Sequence, residues 1–255
     1  MLILLTNDDG YFAKGLETLA LKLAERHEVK VVAPEEEHSG SGHAMSLHRP
    51  LTLERVDFAG GIEAYGVNGS PVDAVRIGLD LVFCDRKPDL IISGINNVLN
   101  LGTDIIYSGT FNAAMEGTVL GFPSIAVSTR CKDGDYDFPA EFVLENLDKL
   151  MVPAMSRCTV NVNIPHNKRG KNKGVAVTTL GVLTYNDRYE MLEPTYENKR
   201  REYLLVGEPL LDYPNSPDCD VLKAWAGYIT ITPILIHAAD ADGISELKAN
   251  FGLRE

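Results

Sequence analysis

Four apolar residues in succession, Leu2-Ile3-Leu4-Leu5, run straight into Thr6-Asn7-Asp8-Asp9-Gly10. A short, unbroken apolar run bounded by a turn signal predicts a strand buried on both faces, as in a parallel sheet. Asn, Asp and Gly favour a turn and cannot prolong such a strand. Both carboxylates therefore fall just beyond the strand's carboxyl end, the edge at which open α/β sheets bind ligands. Two neighbouring acids repel each other unless water screens them or a cation lies between them. Carboxylate oxygens suit a hard divalent ion such as Mg²⁺, Mn²⁺ or Ca²⁺. The alternative, a solvated Asp-Gly turn with no chemical role, stays open at this point.

The pattern then recurs. Leu16, Leu19, Ala20, Leu23 and Ala24 share one face of a helix over Gly15 to Arg26, and Val29 to Ala33 reads as a second strand closed by Pro34, completing a βαβ unit. Pro50 to Leu53 and Ile62 to Tyr65 look like strands of a hairpin-like insertion, and Pro71 to Leu81 like a helix with Pro at its start. Asp89 to Gly94 repeats the opening motif, apolar and then abruptly small. A helix from Gly109 or Thr110 to Leu120, a strand over Pro123 to Ser128 and a helix over Glu141 to Met151 complete an alternating layer.

The expected fold is α/β: a Rossmann-like, mostly parallel sheet forming a core over residues 1–152. Beyond Pro153 the texture changes. Thr159 to Ile164, Gly174 to Thr179, Glu202 to Val206 and Tyr228 to Thr232 alternate or branch like strands of a more antiparallel part. Residues 153–255 are therefore expected to form a smaller β-rich portion, with an arm at about 183–240. Helical pieces at Asp218 to Ala226 and Ile244 to Phe251 would close the chain.

With 255 residues the chain can bury a sizeable core, and 45% hydrophobic with 24% charged residues is ordinary for a globular protein. A net charge of −12 argues against duplex nucleic acid and against anionic membrane surfaces as partners. Cys84, Cys131, Cys158 and Cys219 lie far apart without C-x-x-C spacing, so they read as buried thiols rather than a zinc site or disulfide framework. No signal-like or membrane-length apolar segment is visible, and the expected location is the cytoplasm.

Three loops leave carboxyl ends of predicted parallel strands: Asn7 to Gly10, His38 to His43, and Asn96 to Ser108. They should converge. The second offers the Ser39 hydroxyl and a Gly40-Ser41-Gly42 backbone that can turn N–H groups toward an anion. The third offers Asn96, Asn97, Asn100 and Asp104, then Ser108-Gly109-Thr110 opening a helix whose free N–H groups favour phosphate. Oxygen ligands for a cation beside amide donors for an anion suit metal-assisted phosphoryl chemistry, because the ion neutralises charge and activates water.

Simpler readings compete with each element. Ser108 or Thr110 could be only a helix cap, and His38 and His43 solvated loop residues. Gly40-Ser41-Gly42 is no dinucleotide fingerprint, since Met45 stands where a third glycine is needed. A Ser-His-Asp nucleophile at Ser39 or Ser41 lacks the G-x-S-x-G elbow.

Taken in order, the segments Leu4 to Gly10, Val32-Ala33-Pro34 with Ser39 to His43, Ser93 to Asn96 with Asn100 and Gly102, and Tyr107 to Thr110 with Ala113 to Gly117 resemble the SurE family. Asn68 to Pro71, Asn161 to Pro165 and Ala226 to Pro233 extend the resemblance over nearly the whole chain. Family members are survival-protein-E nucleotidases, metal-dependent phosphatases of nucleoside monophosphates.

The resemblance implies a SurE-like fold and one divalent ion per subunit, Mg²⁺ or Mn²⁺, held by Asp8, Asp9, Ser39 and Asn96. Asn7, Asp8 or Asp9 would position the attacking water, and Gly40, Ser41, Gly42, His43, Asn100, Ser108, Gly109 and Thr110 would line the phosphate and substrate pocket. Lys14 in place of the family's Pro, Val98 in place of Gly, and Phe111-Asn112 in place of Val-Gly lie beside these positions and spare them. Tyr189 to Arg201 lacks the family's Pro-Arg-Gly pattern. The implied reaction is hydrolysis of 5'- or 3'-nucleoside monophosphates, with polyphosphate as a side substrate. A nucleotide-binding module without turnover is the alternative. The resemblance also implies a homodimer or homotetramer that exchanges a C-terminal arm and places Tyr203, Leu204, Tyr228 and Ile229 against the neighbouring subunit.

Overall fold

The structure, a computed structural model, describes residues 1–154, 157–192, 201–210, 212–235, 244, 247, 248, 250 and 251; the side chains of 152 and 153 are not described. The opening run is strand β1 (Leu2–Thr6), and all of its residues are buried. Ile3 and Leu5 pack into one hydrophobic cluster and Leu2 and Leu4 into another, so the strand does carry core on both faces.

Helix α1 (Lys14–Ala24), strand β2 (Glu28–Pro34), strands β3 (Leu53–Val56) and β4 (Glu63–Val67), and helix α2 (Pro71–Ile77) follow. β3 starts where the expected strand at Pro50 to Leu53 ends, and pairs antiparallel with β4. α2 begins with a capping box, in which Ser70 accepts from the Asp73 amide and Asp73 accepts from the Ser70 amide. It gives way to a wide π-type turn over Gly78–Val82, so the regular helix is shorter than its apolar pattern suggests.

Strand β5 (Leu90–Asn96), helix α3 (Gly109–Val119), strand β6 (Ser124–Thr129), helix α4 (Asp137–Ala154) and strand β7 (Cys158–Ile164) complete the alternation. α4 starts ahead of the expected Glu141 because Pro139 stands in the first turn, where a missing N–H costs no hydrogen bond. The long third loop contains a 3₁₀ turn over Gly102–Ile106. Strands β8 (Val175–Val177), β9 (Thr184–Tyr185), β10 (Arg188–Met191), β11 (Tyr203–Val206) and β12 (Pro209–Leu210) precede helix α5 (Asp220–Trp225) and strand β13 (Ile229–Leu235).

One nine-stranded sheet runs β3-β4-β2-β1-β5-β6-β7-β13-β8. β4, β2, β1, β5, β6 and β7 are mutually parallel, β13 is antiparallel to β7, and β8 is parallel to β13. The sheet therefore continues past residue 152 into the chain's second half. α1 and α4 cover one face and α2 and α3 the other. Because β2 and β5 flank β1, the strand order reverses there, and the crevice outside the carboxyl ends of β1 and β5 is the place where such sheets bind ligands.

Beyond that sheet, β9 pairs with β12 and β10 with β11, forming an arm of two small antiparallel sheets. Its base is docked on the third loop by a small core of Leu99, Leu101, Leu183, Cys219, Val221 and Ala224. The buried Asp220 carboxylate reinforces that core, accepting from the Gly102 amide at 2.9 Å and the Gly181 amide at 2.7 Å. Ile229 is buried in the chain's own sheet, so it is not available to a neighbouring subunit as the family resemblance suggested; Tyr203 and Leu204 are exposed. Of the cysteines only Cys219 is buried, whereas Cys84 is exposed, against the expectation of buried thiols. Of the expected helix at Ile244 to Phe251, Ile244, Leu247, Lys248 and Asn250 are helical, while residues 245, 246 and 249 and part of the arm lie outside the described residues. No helix among the described residues is long and apolar enough to cross a membrane.

Candidate active site

At the end of β1 the chain turns tightly. Asn7 Nδ2 donates to Gly10 O at 2.9 Å, and Gly10 takes the left-handed φ of 93° that the turn requires. The second loop is laid on this turn by the His38 amide, which donates to Asp8 O at 2.8 Å, and on the third loop by the Gly42 amide, which donates to Tyr107 O at 3.0 Å. The three loops thus meet at the carboxyl edge of the sheet.

Helix α3 starts against the acid pair. Its cap is Ser108, whose Oγ accepts from the Phe111 amide at 2.9 Å. Thr110 is no cap, because its hydroxyl donates instead to Asp8 Oδ1. Gly109 passes so close that a Cβ there would sit 2.7 Å from Asp8 Cβ, 2.8 Å from Asp8 Oδ2 and 3.0 Å from Ser41 Oγ. Asp8, Ser41 and the amino end of α3 are therefore packed together without a spare atom.

This packing has an electrostatic cost. Burial pushes the Asp8 carboxyl above its usual range, and hydrogen bonds from the side chain and backbone of Thr110 oppose that rise. The Asp9 carboxyl is pushed up to about 7, first by burial, then by the negative charge of Asp8 and Glu37. Asn7 Oδ1 and Ser41 Oγ are buried beside the pair without a hydrogen-bond partner among the described residues.

A cavity of about 860 Å³ opens from Asp8. Ser39, Gly40, Asn96, Asn100 and Ser108 line it with Asp8, and so do Asp104, Tyr107, Tyr185, Asp187 and Leu205. Asp9, Ser41, Gly42, His43, Gly109 and Thr110 are not among its lining residues. Ser39 Oγ donates to Glu37 at 2.5 Å, and Asn96 Nδ2 donates to Val98 O at 2.8 Å, which leaves the Asn96 side-chain oxygen out of that bond. Asn100 is committed to the scaffold: its Nδ2 donates to Ser128 Oγ at 2.8 Å, and its backbone is gripped by Asn161 and Asn163. Both ring nitrogens of His43 are also committed, to Asn112 and Glu116, so the ring is not free to grip a ligand.

The part that Tyr185, Asp187 and Leu205 play in this cavity was not foreseen from the sequence. Tyr185, Asp187 and Leu205 reach the cavity only because β9 and β12 dock on the third loop, and no local period announces that contact. Tyr185 Oη donates to Asp104 Oδ2 at 2.6 Å and ties the arm's base to the 3₁₀ turn.

A family model described as survival protein SurE matches residues 3–187, a span that takes in all three loops and the Tyr185–Asp104 contact. This chain belongs to the SurE family. The 5'-nucleotidase SurE of Caldanaerobacter subterraneus subsp. tengcongensis is 39% identical over 251 residues, covering 97% of this chain and 96% of that one. The 5'-nucleotidase SurE of Thermoanaerobacter pseudethanolicus is 42% identical over 252 residues, covering 98% of each. The crystal structure of the SurE protein from Aquifex aeolicus superposes with a TM-score of 0.82 at 31% identity, covering 98% of this chain and 100% of that one. The likeness in fold thus covers 98% of the chain and reaches beyond residue 187.

Proposed function

We propose that this SurE chain is a divalent-metal-dependent phosphatase that hydrolyses nucleoside monophosphates to nucleoside and phosphate, the 5'-nucleotidase activity named for its relatives, with 3'-nucleotides and short polyphosphate as further substrates. The observation that carries the reading is the Asp8 carboxylate packed against the first residues of α3 at the mouth of the cavity. A helix amino end attracts phosphate. Phosphate and carboxylate side by side repel each other, and a cation between them turns that repulsion into binding.

The donors fit such an ion. Among the described residues no group of three or more His, Cys, Asp or Glu side chains is gathered for a metal. A site at Asp8 and Asp9 would thus draw its remaining protein ligands from Ser39 and Asn96, a wholly oxygen set that suits one Mg²⁺ or Mn²⁺. A bound ion would neutralise phosphate charge and make water a better nucleophile near neutral pH. Ser108, Gly109 and Thr110 present the positive end of α3 to the phosphate, with Gly40, Ser41 and Gly42 closing the other side. Asn7, Asp8 and Asp9 orient the attacking water. The exposed faces of Val98, Ile106, Tyr107 and Leu205 offer the nucleoside an apolar bed.

Inorganic phosphate released from a panel of 5'- and 3'-nucleotides and polyphosphate is the direct test. Release is expected from monophosphates, with loss in chelator and return with Mn²⁺ or Mg²⁺. Undiminished turnover by exhaustively stripped protein would remove the metal, and nucleotide binding without release would leave a binding module.

The arm gives the reading an assembly. β10 and β11 expose Tyr189, Met191, Tyr203, Leu204 and Leu205, with Tyr189 at 72%. A lone two-stranded hairpin is marginal in water, and exchange between two copies would bury it in a closed dimer, which can pair again into a tetramer. Light scattering is expected to show an oligomer for the native chain and a smaller species when residues 188–206 are replaced by a short Gly/Ser linker. An unchanged mass after trimming would move the joint elsewhere. The exposed thiol of Cys84, outside any disulfide, supports a cytoplasmic location.

A further inference from the structure

His43 stands where the second loop leaves the cavity, with Nδ1 3.1 Å from Asn112 Oδ1 and Nε2 2.7 Å from Glu116 Oε2. The partners assign its protons. Asn112 turns Nδ2 toward the carbonyls of Ile105 and Ser108, each at 2.8 Å, so the atom facing His43 is an oxygen and only accepts. Glu116 is nearly buried and is kept ionised by Arg76, whose Nε lies 2.7 Å from Oε1, so it too accepts. Two acceptors require two N–H donors, and a neutral imidazole has one. Both acceptors are satisfied at once only by the imidazolium form of His43.

Electrostatics agree with the geometry. The Glu116 hydrogen bond chiefly raises the His43 ring above its usual value, while burial and, less strongly, Arg76 oppose it; His43 chiefly holds the Glu116 carboxyl low. Ser108, Asn112 and Glu116 follow at intervals of four along α3, so His43 sits on the stripe whose first residue caps the helix beside Asp8. Two further hydrogen bonds hold the loop: Ser70 Oγ donates to Ala44 O at 2.6 Å and the Ser46 amide to the Asp73 carboxylate at 2.9 Å. Among the described residues the His43–Glu116 contact is the loop's one ion pair.

We propose that Arg76, Glu116 and His43 form a charged latch across α2, α3 and the second loop, and that His43 is a positioning residue that keeps Ser39 at the cavity and Ser41 against Asp8. The latch itself is independent of the proposed function; the role of what it positions rests on that reading. Deprotonation removes one of the two ring donors and half of the ion pair, so the loop loosens as pH rises through the His43 titration.

Ring ¹⁵N spectra of the full chain across pH read the latch without reference to activity. The ring is expected to titrate above the ordinary histidine value, with both nitrogens protonated below that titration, and Glu116→Gln, which keeps shape and removes charge, is expected to lower it. The alkaline limb of kcat/KM for nucleotide hydrolysis should move down by the same amount. His43→Gln, checked for an unchanged unfolding temperature, should weaken Mn²⁺ binding in calorimetry by about tenfold, as loss of a ligand-orienting contact does. A His43 ring that titrates at or below the ordinary histidine value overturns the latch. A titration moved by Glu116→Gln with an unmoved pH profile, together with unchanged Mn²⁺ affinity in His43→Gln, overturns the positioning role. A wild-type chain that releases no phosphate from any nucleotide overturns the proposed function, and the spectra still decide the latch.

Discussion

Asp9→Asn is expected to lower nucleotide hydrolysis and Mn²⁺ affinity by about 100-fold or more while making the metal-free protein more stable above neutral pH. The activity loss follows from removing one of two charges offered to the cation, a ligand change larger than the outer-shell losses of about 10–100-fold. The stability gain follows from the carboxyl's titration, which burial, Asp8 and Glu37 push up to about 7 from an ordinary value of 3.8. An acid raised on folding binds more protons folded than unfolded between those two values, so stability falls as pH rises across that window, and the deficit is complete above it. Asparagine carries no such deficit. In chelator the variant should match wild type near pH 4 and unfold a few degrees higher at pH 8, a size kept small because the carboxyl is partly exposed. Mn²⁺ should raise the wild-type midpoint more than that of the variant. Equal midpoints at pH 8 together with unchanged Mn²⁺ affinity would return the acid pair to a plain turn.

Gly109→Ala is expected to cost about 100-fold in kcat/KM and about 1–3 kcal/mol of stability, although alanine is ordinarily the better helix former. The new methyl would lie 2.7 Å from Asp8 Cβ and 2.8 Å from its Oδ2. Asp8 has little room to yield, because Thr110 holds its other oxygen and its backbone carbonyl accepts from the His38 amide. Either the start of α3 retreats or the carboxylate rotates, and both separate the acid from the helix end. Denaturant unfolding and steady-state kinetics on the same preparation check the pair of effects. Wild-type kcat/KM in this variant would show that the close approach has no catalytic meaning.

The stops in the apolar pattern already placed the chemistry at one edge of the molecule. A run such as Leu2 to Leu5 has one stable use, a strand with core on both faces, and Asn7-Asp8-Asp9-Gly10 can only leave the sheet at its carboxyl end. The crossover helices and the start of α3 were legible for the same reason, since period, caps and turns are local properties of neighbouring residues.

The tertiary structure decided what depends on distant partners. The expected split between an α/β core and a β-rich remainder came from a change of texture near Pro153, yet β7 pairs with β6, and β13 and β8 extend the same sheet. Thr110 looked like a cap or a phosphate donor until Asp8 arrived beside it, and Asn100 and His43 looked free until Ser128, Asn112 and Glu116 claimed them. Tyr185 and Asp187 joined the cavity through strand pairing and a small core built from segments more than 80 residues apart. Even the charge of His43 is a tertiary fact, because an imidazole takes its second proton when the fold sets an acceptor against each nitrogen. Local sequence fixes the backbone's short-range preferences, but hydrogen-bond partners, burial and the electrostatic field at a side chain are sums over atoms that only folding brings within a few ångströms.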